Sequence, residues 1–185
     1  KEVSFGNDGN VSLDSLKNCI NNDLANNFGN LCQRVFSFVS KNCNSEIPPC
    51  NKFYKEDELI LNNLIEKIPH LQNAMNNQEI NIYIKEVINF SFDANKYFND
   101  LQPWALKKNN LERMNSVIYT ILNQIRSISI LLSPIIPQSS NKILNILNIN
   151  DKDRTIKKIL DIKFLKPRSK IKKTDILFKK VEDDN

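Results

Sequence analysis

Apolar residues recur along this chain at intervals of three and four. Leu13, Leu16, Ile20, Leu24, Phe28, Leu31, Val35 and Phe38 form one stripe, the pattern of a long amphipathic helix running to about Asn42. Ser12 stands ahead of Leu13, where a helix needs an N-cap oxygen. The paired prolines Pro48 and Pro49 exclude helix from "NSEIPPCNKF", so that stretch reads as a loop. A second helix starts near Lys55 and puts Leu59, Ile60, Leu64 and Ile68 on one face, with Pro69 predicted to kink or split it. A third, from about Gln78, is expected to bury Ile80, Ile84, Val87, Ile88, Phe92 and Phe98; it ends at "LQPWALKKN", because a residue before proline avoids the α region. The fourth runs from Asn110 through Met114, Val117, Ile121, Leu122, Ile125 and Ile128 to Leu132 and stops at "SPIIP". A short fifth covers residues 139 to 147.

Helices with short connections fold most simply as an antiparallel bundle, each hiding its stripe against its neighbours. The expected fold is therefore all-α, a bundle of about five helices over residues 11 to 150, preceded by a connector over residues 1 to 10 and followed by a basic arm over residues 151 to 185, whose short apolar clusters are expected to pack back on the bundle at a few points. Length agrees, since 185 residues suit one full domain plus a tail. So does the scarcity of glycine, with only 3 in the chain, because sandwiches and barrels need frequent turn glycines.

Charge changes the picture at one end. Residues 152 to 180 hold 12 Lys or Arg against 3 Asp, so the net +5 of the chain conceals a basic arm on a mildly acidic body. A basic arm points to a polyanion partner, and a solvated tail explains the same composition equally well. The four cysteines form no C-x-x-C pair and His70 is the single histidine, so reduced thiols in a cytoplasmic protein and no metal site are expected. No run reaches the length of a membrane span.

Catalytic chemistry is poorly served: there is no Gly-rich phosphate loop, no Ser–His–Asp set and no clustered carboxylate pair, so no catalytic residue is assigned. One stretch inside the first helix, "NDLANNFGNLCQR" at residues 22 to 34, is richer in Asn and Gly than a helix favours. On a regular helix centred on Leu31, Asn30 lies about 100° and Arg34 about 60° to the same side, one turn apart and beside the buried stripe. An amide next to a five-donor guanidinium suits a base edge or a phosphate; an exposed Asn and a snorkelling Arg are the alternative. Gly29 admits either a ligand or a close helix crossing. Trp104, the single tryptophan, follows Pro103 and precedes Lys107 and Lys108. An indole fixed by proline beside positive charge is a plate for an unstacked base, and a Trp covering the core is the other reading.

Four collinear stretches resemble the methionyl-tRNA synthetase family. "KEVSFGNDGNVS" resembles the region just downstream of the family's KMSKS loop. "NNDLANNFGNLCQR" is similar to its anticodon-domain signature Asp-Leu-x-Asn-x-x-Gly-Asn-Leu-x-x-Arg, and "NKYFNDLQPWALKKN" to its Asn-x-Tyr and Pro-Trp-x-Leu-x-Lys element. "ILLSPIIPQSSNKILNIL" resembles its later helix and Pro-rich turn. The resemblance implies a class I synthetase anticodon-binding domain that checks the CAU anticodon of methionine tRNAs. By motif match it gives anticodon contacts to Asn30, Arg34 and Trp104, with Pro103 as support, Asn26 as a weaker candidate and Asp23 as structural. Lys107 and Lys108 would hold phosphates. The HIGH and KMSKS motifs are absent from this sequence, so the resemblance implies a C-terminal portion of the ligase; the oligonucleotide-binding domain that dimerises some members is also missing, so a monomeric parent enzyme is expected. Its partners would be methionine tRNA and the catalytic domain of the same enzyme; ATP with Mg2+ would act there and no cofactor in this segment. A tRNA-binding domain of another class I synthetase, or a helical scaffold with a nonspecific basic arm, are the competing readings.

Overall fold

The Ser12 hydroxyl oxygen accepts from the Ser15 backbone N–H at 3.0 Å, and a helix starts where the sequence places its cap. In this computed structural model, which describes residues 12 to 173 and 177 to 182, the helices are α1 (Leu13–Cys19), a π-helical segment (Ile20–Gly29), α2 (Asn30–Asn42), α3 (Lys55–Asn76), α4 (Ile80–Leu101), α5 (Pro103–Asn109), α6 (Leu111–Leu132), α7 (Pro137–Ile146) and α8 (Ile156–Ile159). The segment expected as a connector lies outside the described residues. Among the described residues there is no strand, only an isolated antiparallel bridge between Glu46 and Lys170. The all-α expectation holds: α1 through α2, α3, α4, α6 and α7 are the five predicted helices, and α5 and α8 are short additions.

Helix α6 is the axis of the bundle. Nineteen of its 22 residues are buried, so it is covered all round where the sequence suggested one stripe. Helices α2, α3, α4, α5, α7 and α8 all pack against it. Two of its polar residues bond to carbonyls inside: Gln124 donates to the Ile60 carbonyl at 2.6 Å and Ser129 to the Ile125 carbonyl at 2.7 Å.

Three details of the predicted stripes are corrected. Leu13 and Leu16 are 76% and 48% exposed, and α1 buries no residue; burial of the first stripe begins with Phe28. Phe92 is half exposed, because the inner face of α4 follows Tyr83, Val87, Phe90, Ala94 and Tyr97 at steps of three and four, a line that misses it. Leu59 is exposed for the same reason, with Leu61, Leu64, Ile68 and Leu71 making the inner line of α3. Pro69 does not split that helix, which runs unbroken from Lys55 to Asn76. It sits on the exposed side, where solvent can reach the Ile65 carbonyl that proline leaves without a donor.

The composition of the Asn-rich stretch has a physical explanation. From Ile20 to Gly29 the chain is wound as a π-helix, and the Asn30 N–H reaches back five residues to the Ala25 carbonyl. Asn27 is buried here and cross-links the segment to α4. Its amide donates to Ser91 Oγ at 2.7 Å, and Asn95 Nδ2 donates to its Oδ1 at 2.8 Å. Gly29 answers neither a ligand nor a helix crossing: a Cβ there would meet the Leu24 carbonyl oxygen and Phe178 Cδ2, each at 2.8 Å. Gly29→Ala should therefore destabilise the chain by about 1–3 kcal/mol in urea unfolding, opposite in sign to the gain of about 1 kcal/mol that Gly→Ala brings in an open helix.

The basic C-terminal segment is pinned to the bundle. Ile159, Leu165 and Ile171 are buried, and Tyr119 donates its hydroxyl to the Leu165 carbonyl at 2.8 Å. Arg126, fully buried on α6, donates to the Lys158 and Asp161 carbonyls at 2.9 and 3.1 Å and lies 4.6 Å from the Phe164 ring. Burial pushes its pKa down to about 10, against the pull of Asp161. Farther on, Asn21 and Val181 exchange two hydrogen bonds at 3.0 and 2.9 Å.

Candidate nucleic-acid interface

Helix α4 ends on Gln102, whose left-handed conformation (φ 43°, ψ 64°) is one a non-glycine residue adopts at a cost of about 1–2 kcal/mol. The next residue is Pro103, buried at the first position of α5, where a missing N–H costs nothing. This corner swings Trp104 back over the end of α4. The indole packs edge-on against Phe98, with ring centroids 5.8 Å apart and planes at 74°, and 44% of Trp104 stays exposed. The side chain covers Phe98, a core residue, as the alternative has it, and keeps an open face beside that contact.

Arg34 approaches the same phenylalanine from α2. Its guanidinium lies 5.1 Å from the Phe98 ring centroid, and Nη2 donates to Asn99 Oδ1 at 2.7 Å. Phe38 closes the row with an edge-on contact to Phe98 at 6.5 Å. Phe98 is thus the hub that holds Arg34 and Trp104 in fixed relation, a function that its reading as a core residue missed. Asn99 has no signal in the sequence, being one polar residue among many on α4.

Asn30, Gln33, Arg34, Ser37, Phe98 and Trp104 line one open groove of about 570 Å³, with Lys41 and Asn42 at its end. Lys107 donates to Asn42 Oδ1 at 2.7 Å, which places its charge at that rim. Cys43 lies nearby, its thiol pushed up to about 11 by burial, with Lys107 pulling the other way. Three of the residues singled out in the sequence therefore meet: Asn30, Arg34 and Trp104. Lys108 and Asn26 are exposed and line no part of this groove. Asp23 is buried, which fits a structural part.

Residues 47 to 185 match the family model described as the anticodon binding domain of methionyl tRNA ligase. The chain belongs to that family. Relatives of this anticodon-binding domain include the methionine--tRNA ligase of Rickettsia felis, 36% identical over 197 residues covering all of the chain and 36% of the relative. That of Brucella suis biovar 1 is 36% identical over 149 residues, covering 80% of the chain and 29% of the relative. Among solved structures, the apo form of Mycobacterium tuberculosis methionyl-tRNA synthetase superposes with a TM-score of 0.93 at 28% identity, over the whole chain and 38% of that protein. The same enzyme bound by methionyl-adenylate gives 0.91 at 29% identity, over 97% of the chain and 36% of that protein. The chain thus spans between 29% and 38% of the length of these relatives. No helix among its described residues is long and apolar enough to cross a membrane, and no three His, Cys, Asp or Glu residues are grouped to hold a metal ion.

Proposed function

We propose that the groove between α2 and the α4–α5 corner reads the CAU anticodon of methionine tRNAs, within a methionine-tRNA ligase whose catalytic part supplies ATP-dependent attachment of methionine. The observation that carries this is the meeting of Asn30, Arg34 and Trp104 on one groove, with the Lys107 charge at its rim. An unstacked base lies on the indole, a surface held from behind by Phe98. Asn30 and Arg34 offer hydrogen bonds to base edges from the facing helix, and Asn99 keeps the guanidinium from folding back to solvent. Pro103 fixes the backbone under the indole, while Lys107 and Lys108 attract phosphate without reading sequence. Asn26 stands outside this arrangement. ATP and Mg2+ belong to the catalytic part: this sequence has no phosphate-cradling Gly-rich loop.

Trp104 is the only indole in the chain, so its fluorescence reports on the groove directly. Titration with an RNA hairpin presenting CAU should quench it at concentrations where a hairpin with the same bases in permuted order does not. Equal, salt-sensitive quenching by both hairpins would mean a nonspecific polyanion site.

A further inference from the structure

A second groove opens on the other side of the same helical surface. Ser40 and the tail residues Lys172 and Lys173 line it, and Gln33, Ser37 and Lys41 line both it and the Trp104 groove. The two are therefore continuous across α2. Neither lining contains an acidic residue, whereas the groove between α3 and α4 is lined by Glu56, Glu66, Asp93 and Asp100.

The lysines are held in place by backbone bonds. Ile171 is buried and its N–H donates to the Ser45 carbonyl at 2.8 Å, while the Lys172 N–H donates to the Ile146 carbonyl at 3.0 Å. Just upstream, Ile47 N–H meets the Ser169 carbonyl at 2.9 Å and Arg168 N–H meets the Ile47 carbonyl at 2.8 Å. With the backbone fixed up to Lys172, the side chains of Lys172 and Lys173 line this groove. A loose tail would spread the same charge over a wide volume. Ser37 and Ser40 add neutral donors along the floor.

We propose that this second groove carries the sugar-phosphate backbone of the RNA strand whose bases occupy the Trp104 groove, with Lys41, Lys172 and Lys173 as its phosphate contacts. The assignment rests on the reading of the Trp104 groove given above. It gives the basic C-terminal segment a direct part in holding RNA, and one without sequence preference, since phosphates carry none.

The test uses the 185-residue chain and two labelled hairpins, CAU-loop and permuted-loop, with affinity measured by fluorescence anisotropy between about 50 and about 200 mM salt. Lys172→Ala with Lys173→Ala should weaken both hairpins by the same factor and leave their ratio unchanged. The slope of log affinity against log salt should become shallower by about 1.4, the release expected for two single-strand phosphate contacts. Lys172→Arg with Lys173→Arg should restore the slope. Lys152→Ala with Lys157→Ala, which removes equal charge from residues lining neither groove, should change it by much less. An unchanged slope with CAU preference intact overturns the strand path alone, and so does an equal change in the Lys152 and Lys157 pair. Equal binding of both hairpins by the unmodified chain overturns the Trp104 reading and the strand path with it.

Discussion

Arg113→Ala should lower the stability of the chain by about 3–5 kcal/mol, because it strands a buried carboxylate. Asp57 is fully buried at the first turn of α3, and Arg113 Nη1 lies 2.7 Å from both of its oxygens. Tyr97 donates its hydroxyl to Asp57 Oδ1 at 2.5 Å and the Tyr54 N–H donates to Oδ2 at 3.0 Å. The guanidinium also stacks over the Tyr54 ring at 4.3 Å. One cluster thus ties the starts of α3 and α6 to the last turns of α4. Burial, and then the Asp57 charge, raise the Tyr97 hydroxyl above its ordinary pKa, so it stays a donor to the carboxylate. A double variant, Asp57→Leu with Arg113→Met, should recover much of the loss, since replacing both partners removes the desolvated charge along with the bond. Urea unfolding of the two variants measures this directly; a small effect of Arg113→Ala alone would show that Asp57 finds another partner or water.

The second large effect falls on binding. Trp104→Ala should cost about 1–3 kcal/mol in affinity for a CAU hairpin, the range for loss of one stacked base. In a full-length ligase it should raise KM for tRNA while ATP-dependent methionine activation is unchanged. Trp104→Phe should recover part of the affinity, because a smaller ring keeps a π face. Arg34→Lys should not rescue the loss seen in Arg34→Ala: a lysine ammonium lacks the planar fork that lies near Phe98 while bonding Asn99. Full tRNA recognition in Trp104→Ala and Arg34→Ala together would sink the assignment of the groove.

How far the sequence was legible depended on the distance between cooperating residues. The helix start at Ser12 follows from its cap and the stripe after it, and the start at Asn110 from its stripe alone; in the structure both residues cap, the Asn110 side chain accepting from the Arg113 N–H. Asn30 and Arg34 share a flank within one turn of a helix, so spacing alone could pair them. Their meeting with Trp104 depends on a corner at Gln102 and on Phe98, buried at the end of α4, and only the family resemblance brought Asn30, Arg34 and Trp104 together in advance. The Asp57–Arg113 cluster spans 56 positions and left no local trace. Asn27 was concealed by the abundance of asparagine around it, although its buried amide does specific work between two helices. In the tail, short apolar clusters between basic runs suggest an arm with a few contacts to the bundle, and the residues that fix its path are Ile159, Leu165 and Ile171. The π winding was invisible because spacings of three and four look alike in either kind of turn at this length.

That winding sets a phase. A chain wound with five-residue hydrogen bonds advances around its axis more slowly per residue than an α-helix does, so the ten residues from Ile20 to Gly29 set the rotation of α1 against α2. Because α1 buries nothing, rewinding them as α would rotate α1, while Leu31, Val35 and Val39 stay in the core and keep Arg34 beside Phe98. The core thus keeps the proposed recognition surface aimed: the burial that holds those three side chains inward also fixes where the guanidinium points.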